Sequence, residues 1–379
     1  MNSNLAILSQ RGLSAHVSRC CGYEFEDILC AAFPGTKLYA PRLKRSTRAG
    51  LKFRARFTPT GSFGGLFDNA FATEQVDEHE VLLAVMGGVR DLALLGGMKD
   101  WRRKSRYAIC WLDELWLEEI PRLRGMLRVL EQFDVVVSSQ YYTAEKLREE
   151  LKSPDVIFLP PGVDTLGFAP VVEPSHRPID VTNIGSIADA THASLLEYVE
   201  HSEGFYFFET LKGRFEARSP SEHRFRYAQI LKRSKYFLCY FAKMRSEGPS
   251  EQLEFGSRYM EGLAAGCVLL GSRESTPAFD AFLGWEDSVI EMPFECPNAS
   301  EILRLLDREA DRLRDISSRN VKRALEGHDH AHRWRTIVDR LGLSEDYHMS
   351  RRQEELAHKL SEFEYPGRRV VKSGQRDEQ

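Results

Sequence analysis

Short apolar runs that alternate with helical segments constrain the fold of this chain more than any other feature, and the alternation occurs twice. In the first half the runs are VLLAVMGG, RYAICWLDELW, FDVVVSS and DVIFLP, which begin at residues 81, 106, 133 and 155. In the second half they are IDVTNIGSI, FYFFETL, YFLCYF and VLLG, which begin at residues 179, 205, 236 and 268. Continuous apolar runs between helices are typical of parallel strands buried on both faces. The pattern therefore predicts an α/β fold with two doubly wound, Rossmann-like sheets.

A proline-rich segment interrupts the alternation and predicts a domain boundary. LPPGVDTLGFAP covers residues 159–170, and Pro174 and Pro178 follow it. Segments of this composition are typical of linkers between compact domains. We therefore predict a first domain at residues 1–165, a second at residues 166–345, and a C-terminal helix with a polar tail at residues 346–379. Within the first domain, a helix is predicted over residues 89–104.

Composition and charge narrow the class of protein. With 379 residues, of which 42% are hydrophobic, the chain can bury two ordinary cores. A formal net charge of -4 argues against general nucleic-acid binding. The seven cysteines include no CxxC pair and indicate reduced core thiols in a cytosolic protein. The start of the chain is too polar for a secretion signal, and no apolar run is long enough to span a bilayer.

Two polar segments each have a functional and an ordinary interpretation. The first, which we call the basic segment, contains no acid and seven basic residues: Arg42, Lys44, Arg45, Arg48, Lys52, Arg54 and Arg56. It is either a solvated loop or a surface for an anionic acceptor or for anionic lipid headgroups. The second, GHDHAHRW, contains His328, His330 and His332 at alternate positions, which do not share a helix face. We interpret these as surface histidines rather than as a metal site.

The segment EFGSRYMEGLAAGCVLLGS, residues 254–272, indicates a place where an anionic ligand can bind. Its apolar residues recur at helical spacing and then form a short buried run, which predicts a helix followed by a strand. Gly256 and Ser257 stand where the helix should begin, and the N–H groups of a first helical turn bind phosphate well. Arg258 and Glu261 lie three residues apart and are therefore neighbours. They either pair with each other on a solvated surface or face a ligand.

This segment resembles the donor site of GT-B glycosyltransferases of the group 1 type, in which a glutamate is followed by a small-residue helix, a glycine and an apolar strand. LPPGVDTLGFAP also resembles the interdomain segment of that family. The resemblance implies two Rossmann-like domains that face each other across a cleft, with the nucleotide sugar bound by the second and the acceptor by the first. It also implies that the terminal helix around Leu356, Leu360 and Phe363 packs back toward the first domain.

The resemblance also implies roles for residues of the second domain. Glu261 matches the glutamate that holds the nucleotide ribose, and Gly185 would line the cleft. The family's other glutamate, which faces the donor sugar, aligns with Leu253, and Glu254 stands one place later. The charge that develops on the leaving diphosphate would be neutralised by cations and backbone N–H groups. These belong to Arg258, Gly256 and Ser257, together with Lys243 or Arg245.

Polar residues follow two of the apolar runs in the first half, at the sheet edge where ligands of doubly wound folds bind. Arg90 and Asp91 follow the first run, and Asp113 and Glu114 end the second. Many group 1 relatives have a histidine after the equivalent strand. This chain has none there, so Asp113 or Glu114 would take the acceptor's proton, and strand alternation favours Asp113. Alternatively, one of the two caps the following helix or pairs with Arg90 or Arg122.

Two motifs are absent from the sequence, namely a DxD motif, whose carboxylates would hold Mn²⁺ or Mg²⁺, and a GxxxxGK[ST] phosphate loop. Together with the resemblance, this predicts a metal-independent glycosyltransferase of the retaining type. It would move a sugar from UDP-sugar or GDP-sugar to a hydroxyl acceptor without a further cofactor. The alternatives are a catalytically silent GT-B-like subunit and a sugar-nucleotide epimerase of the same fold. The expected location is the cytoplasm, at the inner face of the membrane if the basic segment binds lipid.

Overall fold

The computed structural model describes residues 4–42, 71–72, 74–171, 177–209, 216–244 and 252–364. In these residues the chain forms two larger parallel sheets, the first sheet and the second sheet, and a short two-stranded ribbon. Each larger sheet is covered on both faces. In the strand Leu5–Ser9, for example, Leu5 and Ile7 belong to one buried cluster, whereas Ala6 and Leu8 belong to another. The prediction of an α/β fold with two doubly wound sheets is confirmed.

The eight predicted apolar runs became strands in the same order, and the sheets contain further strands besides them. The first sheet consists of β1 (Leu5–Ser9), β2 (Lys37–Tyr39), β4 (His79–Met86), β6 (Ser105–Leu112), β7 (Val135–Ser138) and β8 (Asp155–Phe158), in the spatial order β2-β1-β4-β6-β7-β8. The second sheet consists of β9 (Ile179–Asn183), β10 (Tyr206–Phe208), β11 (Ser234–Cys239), β12 (Val268–Gly271) and β13 (Ile290–Glu291), in the order β10-β9-β11-β12-β13. The ribbon pairs β3 (Glu74–Gln75) with β5 (Met98–Lys99).

Helices connect most of the strands. They are α1 (Cys20–Ala32), α2 (Ile120–Leu127), α3 (Tyr141–Glu150), α4 (Thr165–Phe168), α5 (Asp189–Ser202), α6 (Pro220–Leu231), α7 (Ser257–Ala264), α8 (Pro277–Leu283), α9 (Ala299–Leu306), α10 (Ala310–Gly327), α11 (His330–Leu341) and α12 (Ser350–Glu364). Short 3-10 helices span Val17–Arg19, Val89–Gly97, Leu117–Glu119, Arg128–Gln132 and Glu345–Tyr347. We call the first sheet with its helices the first lobe, and the second sheet with its helices the second lobe.

Strand β1 is the longest of the strands that the sequence analysis did not predict. All five of its residues are buried, and it lies between β2 and β4, with Leu5 opposite Val81 and Ser9 opposite Val85. Its apolar run LAIL is short and has no helical segment before it, so the alternation of strands and helices did not single it out. Its strand character follows only from the two neighbours to which it is hydrogen-bonded.

The segment after β4 is not the α-helix that was predicted over residues 89–104. Val89–Gly97 is a 3-10 helix, which β5 and a turn follow. Gly96 and Gly97 disfavour an α-helix at this point. Gly97 also packs so closely on Pro41 and Phe71 that a β-carbon on it would lie 2.8 Å from Pro41 Cβ. The close packing explains why the chain turns here instead of continuing as a helix.

The C-terminal helices return to the first sheet. Leu356 of α12 belongs to the same buried cluster as Leu5 and Ile7 of β1, and Leu360 and Phe363 pack against that cluster. The predicted packing of the terminal helix toward the first domain is therefore confirmed. Helix α11 contributes to the same cluster, although its residues lie within the range predicted for the second domain.

The linker between the two sheets is held by Asp329, which precedes α11, and by Arg333 within α11. Val163 forms a β-bridge with Asp329, and the Asp329 carboxylate accepts hydrogen bonds from the N–H and the hydroxyl of Thr165 at 3.0 and 2.8 Å. The buried Arg333 donates to the carbonyl of Pro160 at 2.8 Å. These contacts determine how the chain passes between the lobes. The domain limits at residues 165 and 345 remain predictions.

Among the described residues, no helix combines the length and the apolar character needed to cross a membrane. Residues 43–56 of the basic segment lie outside the described residues. Its interpretation as a loop or as an anionic-ligand surface therefore remains a prediction.

Candidate functional site

The carboxyl ends of the two sheets face each other, and the segments that follow the strands make the contact. After β11 of the second lobe, the Gln252 amide oxygen accepts from the N–H of Leu117 at 2.9 Å, and its amide nitrogen donates to Thr143 at 3.1 Å. Lys243 forms an ion pair with Glu118 at 3.0 Å. The first-lobe residues in these contacts follow β6 and β7. We call the space between the two sets of strand ends the interlobe cleft.

Arg258 lies at the start of α7, packed against Gly185. Helix α7 begins at Ser257 after Gly256, as predicted. The Arg258 side chain is half-buried, and no described residue accepts a hydrogen bond from its guanidinium or forms an ion pair with it. Gly185 has a φ of +106°, and a β-carbon there would lie 2.5 Å from Arg258 Nη2. Only glycine allows the guanidinium this position, so the structure brings together Gly185, Gly256, Ser257 and Arg258.

Glu261, one helical turn further along α7, pairs with an arginine that the sequence analysis did not single out. Its Oε1 accepts from Arg224 Nη1 of α6 at 2.5 Å. Glu261 is 2% exposed, so it does not pair with Arg258 on a solvated surface. Arg224 in turn binds Glu24 of α1 through Nε at 2.7 Å and Nη2 at 3.1 Å. A guanidinium of the second lobe thus joins carboxylates from both lobes.

Glu254 is placed elsewhere than the prediction assumed. Its two carboxylate oxygens accept from the N–H groups of Tyr141 and Tyr142 at 3.0 and 3.2 Å, and Gln252 donates to it at 3.0 Å. It is 3% exposed, and burial raises its pKa although these hydrogen bonds oppose the rise. The first-turn N–H groups of a helix attract a carboxylate. Glu254 of the second lobe therefore caps α3 of the first lobe, and this position does not support a contact with a donor sugar.

Replacing Glu254 with alanine should leave two N–H groups of α3 without their acceptor. We expect the free energy of unfolding to fall by about 1 to 2 kcal/mol, the usual effect of losing an N-terminal cap, with a drop of a few degrees in Tm. Glu274→Ala is the matched control, because Glu274 is exposed and lies near Tyr142. Equal Tm values for the two variants would contradict the interlobe cap.

Of the two predicted cations that follow β11, one is described. Lys243 has a φ of +61°, and its ammonium lies 3.9 Å from the centre of the Trp116 ring besides pairing with Glu118. It is therefore engaged with the first lobe. Arg245 lies outside the described residues, so its predicted role at the diphosphate is not addressed by the structure.

The first-lobe side of the cleft contains Asp113, directly after β6. Asp113 is half-buried and lines a small cavity of about 30 Å³, enough for one or two water molecules. Burial raises the pKa of Asp113 to about 6, while the nearby Arg19 guanidinium lowers it. Asp113 neither caps a described helix nor pairs with Arg90 or Arg122. A carboxyl with this pKa changes its protonation state close to neutral pH.

Glu114 lies outside that cavity, in an adjoining groove of about 390 Å³ at the carboxyl ends of β4 and β6. It is exposed and accepts a hydrogen bond from Trp116 Nε1 at 2.7 Å. Gly88, Arg90 and Lys243 also line this groove. Glu114 and Asp113 thus have different surroundings, as the strand alternation predicted.

Arg19 is a second residue that the sequence analysis missed. It precedes α1 and packs on Gly87 at the end of β4, where a β-carbon would lie 1.8 Å from Arg19 Nη1. No described residue accepts a hydrogen bond from its side chain. It lines both the small cavity of Asp113 and the adjoining groove. The arrangement parallels that of Arg258 on Gly185 in the other lobe, and a single arginine in a polar loop gives no sequence signal for it.

Cys21, at the start of α1, connects the two sides of the cleft. Its pKa is raised, first by burial, and it lies within electrostatic range of Glu24, Arg224, Glu261 and Asp113. Its thiol donates to the carbonyl of Gly162 in the linker at 3.4 Å. The candidate base of the first lobe and the candidate ribose ligand of the second lobe therefore lie in the same region.

The interpretation of His328 and His330 as surface residues is wrong. They are 4% and 3% exposed. The His330 ring stacks on Phe25 with a centroid distance of 5.2 Å, and its Nε2 lies 3.1 Å from Glu24 Oε1. His328 Nδ1 lies 3.2 Å from Arg333 Nη2. His328 and His330 lie at the turn into α11, where both side chains are buried. The spacing of the histidines in the sequence did not predict this burial.

Comparisons with known proteins agree with this architecture. Residues 192–339 match the family model described as glycosyl transferase-like, and this range includes α7 with Arg258 and Glu261. One similar solved structure is an alpha-glucosyltransferase in complex with UDP-glucose and DNA containing an abasic site. It is 11% identical, with a TM-score of 0.51, and the match covers 89% of this chain and 99% of that one.

A second similar structure is HepE of Anabaena in complex with UDP-glucose. It is 11% identical, with a TM-score of 0.52 and the same coverage of 89% and 99%. No curated protein matches the chain by sequence. The fold is GT-B, with two Rossmann-like domains, and the resemblance to group 1 glycosyltransferases stated from residues 254–272 is confirmed.

Proposed function

We propose that this GT-B chain is a metal-independent glycosyltransferase that moves a sugar from a UDP-sugar to a hydroxyl acceptor. The observation that carries the proposal is the Arg258 guanidinium on Gly185, at the first turn of α7, which has no hydrogen-bond or ion-pair partner among the described residues. A leaving diphosphate needs positive charge and N–H donors, and this position offers both. Glu261, one turn later, offers a carboxylate for the ribose hydroxyls. Its Oε1 is held by Arg224, and no described residue donates to Oε2.

Uridine is the base we propose for the donor. The two similar structures are both named as complexes with UDP-glucose. A donor panel identifies the sugar.

In the proposed reaction, the acceptor oxygen attacks the anomeric carbon of the donor sugar. The bond from that carbon to the β-phosphate oxygen breaks, and UDP leaves with its charge against Arg258. Asp113 orients the acceptor hydroxyl and takes its proton. We further propose that the anomeric configuration is retained, as in the group 1 enzymes that residues 254–272 resemble, which requires the acceptor oxygen to attack from the same face of the sugar that UDP leaves.

The test begins with a thermal-shift screen against UDP, GDP, ADP and TDP sugars. A ligand at 100 times its Kd adds about 2.7 kcal/mol to the free energy of unfolding, which gives a measurable rise in Tm. We expect the rise with uridine compounds and not with the other bases. Release of UDP is then measured with and without acceptor extracts, and the product anomer is assigned by NMR. Absence of a shift with every donor would refute the proposed function.

The strongest rival is a GT-B-like subunit that binds a nucleotide sugar without turnover. Its support is the position of Glu254, whose carboxylate caps α3 and is therefore engaged away from the sugar-side place of the family. The same assay distinguishes the transferase from the silent subunit and from the epimerase. A silent subunit would bind UDP-sugar but release no UDP with any extract, whereas an epimerase would convert the donor sugar without any acceptor.

Glu261→Ala should weaken binding of UDP by about 5- to 150-fold, equivalent to roughly 1 to 3 kcal/mol for a lost buried hydrogen-bond partner. Isothermal titration calorimetry measures this directly. Glu222→Ala is the control, since Glu222 is exposed on α6 and, among the described residues, its carboxylate pairs with its helix neighbour Arg226 alone. Unchanged affinity in Glu261→Ala would remove this residue from the donor site.

A further inference from the structure

Arg224 joins carboxylates of the two lobes through a single guanidinium. It donates to Glu261 of the second lobe at 2.5 Å, and to Glu24 of the first lobe at 2.7 and 3.1 Å. Glu24 and Arg224 are separated by 200 positions in the chain. We call these three residues the interlobe triad.

The interlobe triad is buried, and its members pair with one another. Glu24, Arg224 and Glu261 are 9%, 7% and 2% exposed. Burial alone would raise the pKa of Glu24, but Arg224 and His330 lower it overall. Buried charges are expensive unless every member is paired. Here the guanidinium also lies over the Phe168 ring at 4.8 Å, and the N–H of Asp164 donates to Glu24 at 2.8 Å.

The geometry at Glu261 is asymmetric. Arg224 binds Oε1, and no described residue donates to Oε2. A carboxylate held by one oxygen in a packed site presents the other oxygen in one direction. Preorganisation of this kind lowers the entropic cost of binding the ligand.

From this geometry we propose that Arg224 is a positioning residue for the donor nucleotide. It holds Glu261 so that Oε2 meets the ribose hydroxyls, and Glu24 holds Arg224 from the first lobe. The inference rests on the proposed function, because it takes Glu261 as the ribose ligand. It adds that donor binding in the second lobe depends on Glu24, a first-lobe residue that does not touch the donor.

The experiment compares two ligands, UDP and 2′,3′-dideoxy-UDP, by isothermal titration calorimetry. The dideoxy compound lacks the ribose hydroxyls that would donate hydrogen bonds to Glu261. Wild-type protein should therefore bind UDP about tenfold more tightly than the dideoxy compound, the ratio expected for one hydrogen bond to a charged group. In Arg224→Gln the ratio of the two affinities should fall to near one. In Glu24→Gln the ratio should fall to about a third of its wild-type value. A merely structural defect would weaken both ligands equally and leave the ratio unchanged.

Arg226→Gln is the matched control, because Arg226 is two residues from Arg224 on the same helix and its side chain is 74% exposed. It should keep the wild-type ratio and Tm. Arg224→Gln removes the guanidinium from two buried carboxylates, so its Tm should fall. The double variant Glu24→Gln/Arg224→Gln removes one of them, so Tm should recover while the ratio stays near one.

A wild-type ratio in Glu24→Gln and in the double variant would overturn the positioning role of Arg224. This failure is distinguishable from failure of the proposed function. If wild-type protein binds no uridine nucleotide, the proposed function itself is refuted. If it binds UDP, and Glu261→Ala loses the preference over the dideoxy compound but the triad variants keep it, only the present inference is wrong.

Discussion

Replacing Arg258 with alanine should lower kcat by about 100- to 1,000-fold, the usual effect of removing one preorganised donor from a developing negative charge. Its effect on the Kd of UDP should be smaller, within about tenfold, because the charge on the leaving diphosphate grows in the transition state. The structural reason is that the Arg258 guanidinium has no partner among the described residues. Steady-state transfer kinetics and calorimetry on the same preparation measure both quantities.

Two further variants sharpen this experiment. Arg258→Lys keeps the charge but loses the planar fork, so its kcat should lie between those of wild type and Arg258→Ala. Gly185→Ala keeps Arg258 but places a β-carbon 2.5 Å from Nη2 and strains a φ of +106°, so it should lower kcat by displacing the guanidinium. If Arg258→Ala retained kcat within about threefold of wild type, the leaving-group role would have to be given up.

The second large effect is expected at Asp113. Asp113→Asn should fold and bind UDP normally but lose at least about 100-fold in transfer, the usual scale for a general base. The asparagine amide fits the same space and cannot take a proton. Glu114→Gln is the natural control, since Glu114 lies exposed in the adjoining groove and binds Trp116. Full transfer activity in Asp113→Asn would transfer the role to Glu114 or to another group.

The pH dependence of transfer follows from the same carboxyl. A general base works when ionised, and burial raises the pKa of Asp113 to about 6. The rate kcat/KM should therefore rise with pH through about pH 6 and level off above it. Arg19 lowers this pKa, so Arg19→Gln should move the acid limb to higher pH. A limb that Arg19→Gln leaves in place would separate Asp113 from the observed titration.

Local patterns in the sequence predicted the parts of the fold that depend on local interactions. The apolar runs from residue 81 onward became strands of two parallel sheets, and Ser257 begins a helix after Gly256 as expected. Strand β1 was missed because its short apolar run has no helical segment before it and so does not belong to the alternation. The helix predicted over residues 89–104 failed because the packing of Gly97 on Pro41 and Phe71 is a contact between distant parts of the chain.

The candidate site divides in the same way. The sequence by itself determined that Gly256, Ser257, Arg258 and Glu261 share the start of one helix, since their spacing is local and a helix has one period. Only the tertiary structure decided what each side chain meets. The Glu254 carboxylate accepts a hydrogen bond at the N-terminus of a helix in the other lobe. Arg224 pairs with Glu24, which lies 200 positions away in the chain. Such pairs form because docking of the lobes removes water from charged groups, and a buried charge without a partner is unfavourable. The partners come from distant parts of the chain, so no local pattern in the sequence predicts them.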